Sequence, residues 1–154
     1  MSEALRAPKT SWHLDRLRRM VSGEAPPPPI ARLIGFRLVA IDLGVSRFEL
    51  DAAPAHANPM GTLHGGVLCD VADAAIGCAL ASTLEEDETF TSLDLAIKFF
   101  KPVWTARLTA VARVIRRTRT LGHLECEITD EGGSLVAKVY SSCMVLRGEM
   151  AKGR

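Results

Sequence analysis

Residues 56–73 read HANPMGTLHGGVLCDVAD, and they are the most informative stretch of this chain. A turn-rich loop leads into a His-Gly-Gly triplet at 64–66, and an apolar segment carrying Asp70 and Asp73 follows at once. Glycines at the start of a helix let a ligand approach bare backbone N–H groups. A carboxylate is costly to bury in an apolar helix. The combination predicts a site that holds a carbonyl oxygen and activates a group to attack it.

Residues 64–82, HGGVLCDVADAAIGCALAS, are predicted to form one long helix. The segment is apolar nearly all round, which is typical of a helix that is buried on every face. Before it, two strand patterns within 35–53 meet at a turn at Gly44. After it, strand patterns occupy 92–99, 103–115, 121–129 and 134–146. Short turns join the later strands, so these strands are expected to be antiparallel.

A single buried helix needs a sheet curled about it. The predicted fold class is therefore α+β, a hot-dog fold in which about five or six antiparallel strands wrap around the 64–82 helix. Alternation in the first strand after the helix places four apolar side chains on the core face, which are Leu93, Leu95, Ile97 and Phe99. In the next strand Trp104 is expected to share the core face with Leu108.

Three parts of the chain are predicted. Residues 1–29 hold a short helix over 11–22, with Leu14, Leu17 and Val21 on one stripe, and then a Pro-rich spacer at 26–29. Residues 30–147 form the main domain, which begins with a helical turn near 30–33, and residues 148–154 are a flexible tail.

Composition excludes several classes of protein. The chain has 154 residues, 47% of them hydrophobic, and a formal net charge of +1, so nothing points to a nucleic acid or a membrane as partner. No apolar run approaches the roughly 20 residues that span a bilayer, and the first residues lack the apolar core of a secretory signal. Four cysteines lie in apolar surroundings without paired metal spacing. We therefore expect reduced core cysteines in a cytoplasmic protein.

Several motifs together carry a resemblance to a known family. They are NPMGTLHGG at 58–66, Asp73 nine residues after His64, the SLD and FFKP pieces between 92 and 102, and TDEGGSLVA at 129–137. With these motifs the chain resembles the hot-dog thioesterases of the phenylacetate-degradation, PaaI-like group. That group cleaves acyl-coenzyme A thioesters, and the resemblance covers roughly residues 30–147.

Helix geometry indicates how such a site is assembled. A helix turns about 100° per residue, so His64 and Asp73 lie on opposite faces and about 13 Å apart along the axis. One chain does not easily bring both to the same carbonyl, whereas a two-fold partner does. The resemblance implies the same arrangement, with active sites shared across a homodimer and a homotetramer as the assembly.

The resemblance also implies the main chemical roles. The Gly65 N–H would hold the thioester oxygen as it becomes an oxyanion, and Asp73 of the partner would act as general base or nucleophile. Water attack and a covalent anhydride on Asp73 both stay open. Some related thioesterases place a hydroxyl one turn after the acid, where this chain has Gly77. No metal or organic cofactor is expected, because a thioester is already activated.

Further roles follow from the same motifs. Asn58 and His64 would position the thioester or the water, and Gly66 would contact the substrate. Ser92 would orient the acid or the water, although strand parity makes Thr91 an alternative. The three arginines of the 116–119 cluster, Arg116, Arg117 and Arg119, would bind the phosphates of coenzyme A, or would simply be solvated at a turn.

Simpler interpretations exist for each residue. Asp73 could be a structural acid, with Asp70 as the working carboxylate instead. His64 and His56 could be structural histidines, and Asn58 could cap its own loop. At the level of function, the alternatives are a non-catalytic acyl-CoA binding or sensing module and a hot-dog dehydratase, because fold alone does not separate them. The glycine and aspartate pair favours hydrolysis.

Overall fold

A curled antiparallel sheet and one long helix dominate the structure, a computed structural model that describes Pro8 and residues 12–153. The helices are α1 (Trp12–Val21), α2 (Pro29–Ile34) and α3 (Gly65–Ala81), with 3-10 turns at Pro54–His56 and Gly148–Ala151. The strands are β1 (Arg37–Asp42), β2 (Val45–Ala52), β3 (Glu88–Ser92), β4 (Ala96–Phe99), β5 (Ala106–Arg117), β6 (Leu121–Asp130) and β7 (Leu135–Arg147). This element order confirms the predicted hot-dog fold.

The sheet is six strand positions wide within the described residues. Its order is β1-β2-β5-β6-β7-β3, and β4 pairs with β7 on the same edge as β3. Ser92 of β3 lies opposite Cys143, and Ala96 of β4 lies opposite Tyr140. All strand pairs are antiparallel, and α3 packs against both early and late strands, so the sheet curls around the helix.

The predicted strand at 92–99 is broken in its middle. Asp94 causes the break, because its Oδ1 accepts the Ser142 N–H at 2.8 Å and its carbonyl accepts the Ser141 hydroxyl at 2.7 Å. The expected core face is therefore wrong at both ends of this segment: Leu93 is 52% exposed and Phe99 is 55% exposed. Trp104 was also expected inside, but it precedes β5 and is exposed.

The long helix matches its prediction within one residue at each end. His64 is its N-cap and Ser82 its C-cap. One side of α3 is buried against the sheet through seven apolar residues, namely Leu68, Val71, Ala72, Ala75, Ile76, Ala79 and Leu80. The expectation of burial all round is wrong, because Asp70 and Asp73 are exposed in a single chain. One face of α3 is thus open, and it is the face that carries the acids.

The segments outside the main domain are partly ordered. In α1 Leu14 and Leu17 are buried, whereas Val21 is exposed, so the predicted stripe is one residue too long. Pro29 begins α2, since proline suits the first helical position, and the spacer therefore ends at residue 28. The 3-10 turn Gly148–Ala151 lies in the predicted tail. The predictions for residues 1–7, 9–11 and 154 lie outside the described residues.

Two further predictions concern membrane-spanning helices and the cysteines. No described helix is long and apolar enough to cross a membrane. All four cysteines are free thiols. Cys126 and Cys143 are buried in the core as expected, whereas Cys69 and Cys78 are only partly buried. Burial raises the pKa of the Cys126 thiol to about 12.

Candidate active site

The loop before α3 is held by the side chain of Asn58. Its Oδ1 accepts the N–H groups of Met60 at 2.9 Å and Thr62 at 3.2 Å, and its Nδ2 donates to the Thr62 hydroxyl at 2.8 Å. Gly61 completes the tight turn with a φ of +85°, a conformation that favours glycine. Asn58 thus caps its own loop, which is the simpler of the two interpretations given for this residue.

His56 connects this loop to α2. Its Nδ1 accepts the Ala53 N–H at 3.1 Å, so its Nε2 carries the proton and donates to the Ile34 carbonyl at 2.8 Å. Its own carbonyl accepts the His64 N–H at 2.9 Å. Both ring nitrogens are occupied, which agrees with a structural role for His56.

The His-Gly-Gly triplet leaves one backbone donor open. The His64 Nδ1 accepts the Gly66 N–H at 2.9 Å and so caps the start of α3. A Cβ atom at Gly66 would lie 2.9 Å from that same nitrogen, so a glycine is needed for the cap. The Gly66 N–H is therefore engaged inside the chain. The Gly65 N–H has no acceptor among the described residues, and it is the donor that can meet a ligand.

Phe99 lies directly against Gly65, a contact that the sequence did not indicate. A Cβ atom at Gly65 would lie 3.0 Å from the Phe99 Cζ. Both residues border a cavity of about 380 Å³ at the start of α3, whose other wall is the 100–103 segment. The only signal for this contact was the FFKP motif itself, because strand alternation assigned Phe99 to the core.

The acid on the open face of α3 has one oriented partner. The Ser92 hydroxyl, at the end of β3, donates to the Asp73 Oδ1 at 3.3 Å. This contact places Ser92, and not Thr91, beside the acid. Asp70, one turn earlier, makes no side-chain hydrogen bond to any described residue. Of the two carboxylates, Asp73 is the one with a neighbouring hydroxyl.

The open donor and the acid do not meet within one chain. Because α3 is continuous over Gly65–Ala81, Gly65 and Asp73 are eight residues apart in one helix. This spacing corresponds to about 12 Å along the axis. A carbonyl group that contacts the Gly65 N–H is therefore out of reach of Asp73 from the same chain.

The motif on which this geometry depends also matches a known family. The family model of the thioesterase superfamily matches residues 60–137, which include Gly65, Asp73 and Ser92. This chain belongs to the thioesterase superfamily.

Similar proteins place this thioesterase-superfamily chain near the PaaI-like group. A phenylacetic acid degradation-related protein from Ralstonia eutropha JMP134 is 31% identical, with a TM-score of 0.76 over 84% of this chain and 98% of its own. The 1,4-dihydroxy-2-naphthoyl-CoA hydrolase of Listeria monocytogenes is 28% identical over 73% of this chain and 89% of its own. The E. coli PaaI protein shares the fold, with a TM-score of 0.77 at 21% identity over 87% of this chain and 96% of its own.

The three arginines of the 116–119 cluster do not share one environment, because two are exposed and one is in an internal ion pair. Arg116 and Arg119 are exposed, but Arg117 donates to the Glu88 Oε2 at 3.0 Å, and Arg147 also binds the buried Glu88 carboxylate. Burial lowers the pKa of Arg117 against the opposing effect of Glu88. Glu88 precedes Ser92 by four residues in β3, or about 13 Å. Arg117 is thus committed to an internal ion pair, away from Asp73.

Proposed function

We propose that this protein hydrolyses an acyl-CoA thioester to a free carboxylic acid and coenzyme A, in a site shared by two copies of the chain. One observation carries the proposal. The open Gly65 N–H lies at the start of α3, and the Asp73–Ser92 pair lies eight residues further along the same helix, too far to act on the same carbonyl within one chain. Membership of the thioesterase superfamily and similarity to a CoA hydrolase support the reaction class.

The Gly65 N–H would stabilise the charge that develops on the thioester oxygen. It lies at the N-terminus of α3, where the helix dipole adds positive potential. One such donor contributes about 3–4 kcal/mol to stabilisation of the transition state. The His64 cap holds this end of the helix in shape, and its Nε2–H is directed away from the Gly66 contact and can position the thioester or water.

Asp73 of the partner would supply the base or the nucleophile. As a base, it takes a proton from water while the water oxygen bonds to the carbonyl carbon. As a nucleophile, its carboxylate oxygen bonds to that carbon, and water then cleaves the anhydride. In both routes the C–S bond breaks and the thiolate of coenzyme A leaves and takes up a proton. Ser92 orients the carboxylate through its 3.3 Å hydrogen bond.

Replacement of Ser92 by Ala is expected to lower kcat about tenfold, since the carboxylate loses its orienting donor but keeps its charge. The KM should change little. The matched control is Thr91→Val, which removes a hydroxyl from the neighbouring residue of β3, whose side chain makes no hydrogen bond to Asp73. Steady-state thiol release measures both variants. Equal losses in the two variants would contradict the assignment of Ser92.

The shared site requires a dimer, and the sheet offers an edge for one. The β3–β4 edge carries exposed Leu93, Phe99 and Phe100, and open edges are templates for strand pairing. The outer sheet face carries charges, with Lys138 bound to Glu125 and Glu127 at 2.8 Å each, and also the exposed Tyr140. The homotetramer and the cytoplasmic location stay predictions.

Arg116 and Arg119 are the residues of the cluster that we assign to the phosphates of coenzyme A. Their side chains are exposed, and guanidinium groups suit phosphate geometry. Arg117 supports them indirectly through the ion pair that fixes the end of β5 to Glu88.

The test of the proposed reaction is thiol release from a panel of short, medium and aryl acyl-CoAs. The proposal expects turnover of at least one of them well above the uncatalysed rate. The alternative, a non-catalytic acyl-CoA binding module, expects tight binding in calorimetry without thiol release from any member of the panel. That second result would overturn the proposed reaction.

A further inference from the structure

A second cavity, of about 390 Å³, lies over the open face of α3. Its inner wall is α3 itself, and its outer wall is formed by the N-terminal segment, through Met20 of α1, the extended Pro27 and Pro28, and α2. Side chains of β1, β2 and β3 close the sides. The N-terminal segment therefore does more than precede the main domain, since it lines a cavity beside the helix face that carries Asp73.

Small residues of α3 make room for the cavity. Ala74, Gly77, Cys78 and Ala81 line it at helical spacing, and Phe90 of β3 packs onto Gly77. A Cβ atom at Gly77 would lie 3.1 Å from the Phe90 Cζ, so the glycine lets the ring lie close to the helix. At position 77, where some related thioesterases carry a hydroxyl, this chain thus has a glycine, and the cavity lining there is apolar.

The polar groups of the cavity are confined to one part of its lining. Asp70 and Asp73 are its two charged residues, and the remainder of the described lining is apolar except for the Cys78 thiol. Burial raises the pKa of that thiol to about 12, so it stays neutral and behaves as a small hydrophobic group. An apolar cavity with a reactive carboxylate at its border suits a substrate whose reacting carbonyl lies at the carboxylate and whose tail is apolar.

We propose that this cavity holds the acyl group of the thioester, that the N-terminal segment forms its outer wall, and that Cys78 limits its depth. The inference rests on the proposed function, because it places the reacting carbonyl beside Asp73. One liquid water fills about 30 Å³, so the cavity has room for about a dozen groups of that size. This volume favours a medium aliphatic or single-ring aryl acyl group over both acetyl and long fatty acyl groups.

The first experiment compares two identical substitutions in α3. Cys78→Leu fills the cavity, whereas Cys69→Leu makes the same change outside it. We expect Cys78→Leu to lower kcat/KM for medium acyl-CoAs about tenfold or more while acetyl-CoA turnover is kept, since pockets discriminate by methylene groups on this scale. Cys69→Leu should keep the wild-type ratio of medium to acetyl turnover. An unchanged ratio in Cys78→Leu, or equal losses for both substrates, would overturn the proposal.

A binding measurement separates this inference from the proposed reaction. Thioether analogues, S-alkyl-CoAs of increasing chain length, are titrated into wild type, Cys78→Leu and Met20→Ala by calorimetry. Affinity should rise with chain length to a medium optimum in wild type, shift to shorter chains in Cys78→Leu and weaken for medium chains in Met20→Ala. This pattern would support the assignment of the cavity to the acyl group even if no acyl-CoA were hydrolysed. An affinity that does not depend on chain length in any of the three proteins would exclude this assignment, whether or not thioesters are cleaved.

Discussion

Replacement of Asp73 by Asn is expected to lower kcat for acyl-CoA hydrolysis at least about a hundredfold. The amide can neither take a proton from water nor attack the thioester carbon. Asp73 is exposed on the open face of α3, so the substitution removes no buried contact within a chain. The melting temperature should therefore stay close to that of wild type. Thiol release and a thermal melt measure the two effects separately.

Asp70→Asn is the matched control for this variant. It makes the same change one helical turn earlier, on a carboxylate without the Ser92 contact. We expect its kcat for the same acyl-CoA to stay within a few-fold of wild type. If Asp73→Asn were active and Asp70→Asn inactive, Asp70 and not Asp73 would be the catalytic acid.

Gly65→Pro is expected to lower kcat by about 10²–10³ while α3 stays folded. Proline removes the one N–H that is proposed to stabilise the oxyanion, and the first position of a helix tolerates proline. His64 already has the extended backbone that a following proline requires, with φ −64° and ψ 130°. Circular dichroism checks the helix, and thiol release checks the turnover.

Gly65→Ala separates the lost donor from simple crowding. Both substitutions add a Cβ atom about 3.0 Å from the Phe99 ring, but alanine keeps the N–H. The expected loss for Gly65→Ala is about tenfold at most, because the ring can shift by a few tenths of an ångström. Equal losses in the alanine and proline variants would show that crowding, and not the donor, explains the effect.

Local patterns predicted most of the fold because its elements have local causes. The 64–82 helix has a capping histidine and glycines at its start, and Gly44 and the Asp130–Gly133 segment are turn signals at the ends of strands. The break at 93–95 has no such cause. It depends on the Asp94 side chain, which binds the backbone of Ser142, a residue 48 positions away. Alternation alone could not anticipate that contact.

The candidate site was predictable in its motif and not in its contacts. The family pattern located Gly65, Asp73 and Ser92, and the structure brings the last two together. The sequence did not show that the Gly66 N–H is engaged by His64, or that Arg117 is paired with Glu88, 29 residues away. It also gave the N-terminal segment no part in the site, since no local pattern relates Met20 to the cavity that it lines together with α3.

Mixing two inactive variants tests the shared site most directly. Asp73→Asn keeps the Gly65 donor, and Gly65→Pro keeps the acid, so a dimer with one copy of each has one complete site and one that lacks both groups. The mixed dimer carries one working site of two, so once purified it should show about half of the wild-type activity per dimer. The two proteins are co-expressed with different tags, the mixed dimer is purified, and its thiol release is compared with that of each parent. Activity no higher than that of the parents would contradict a site built from two chains.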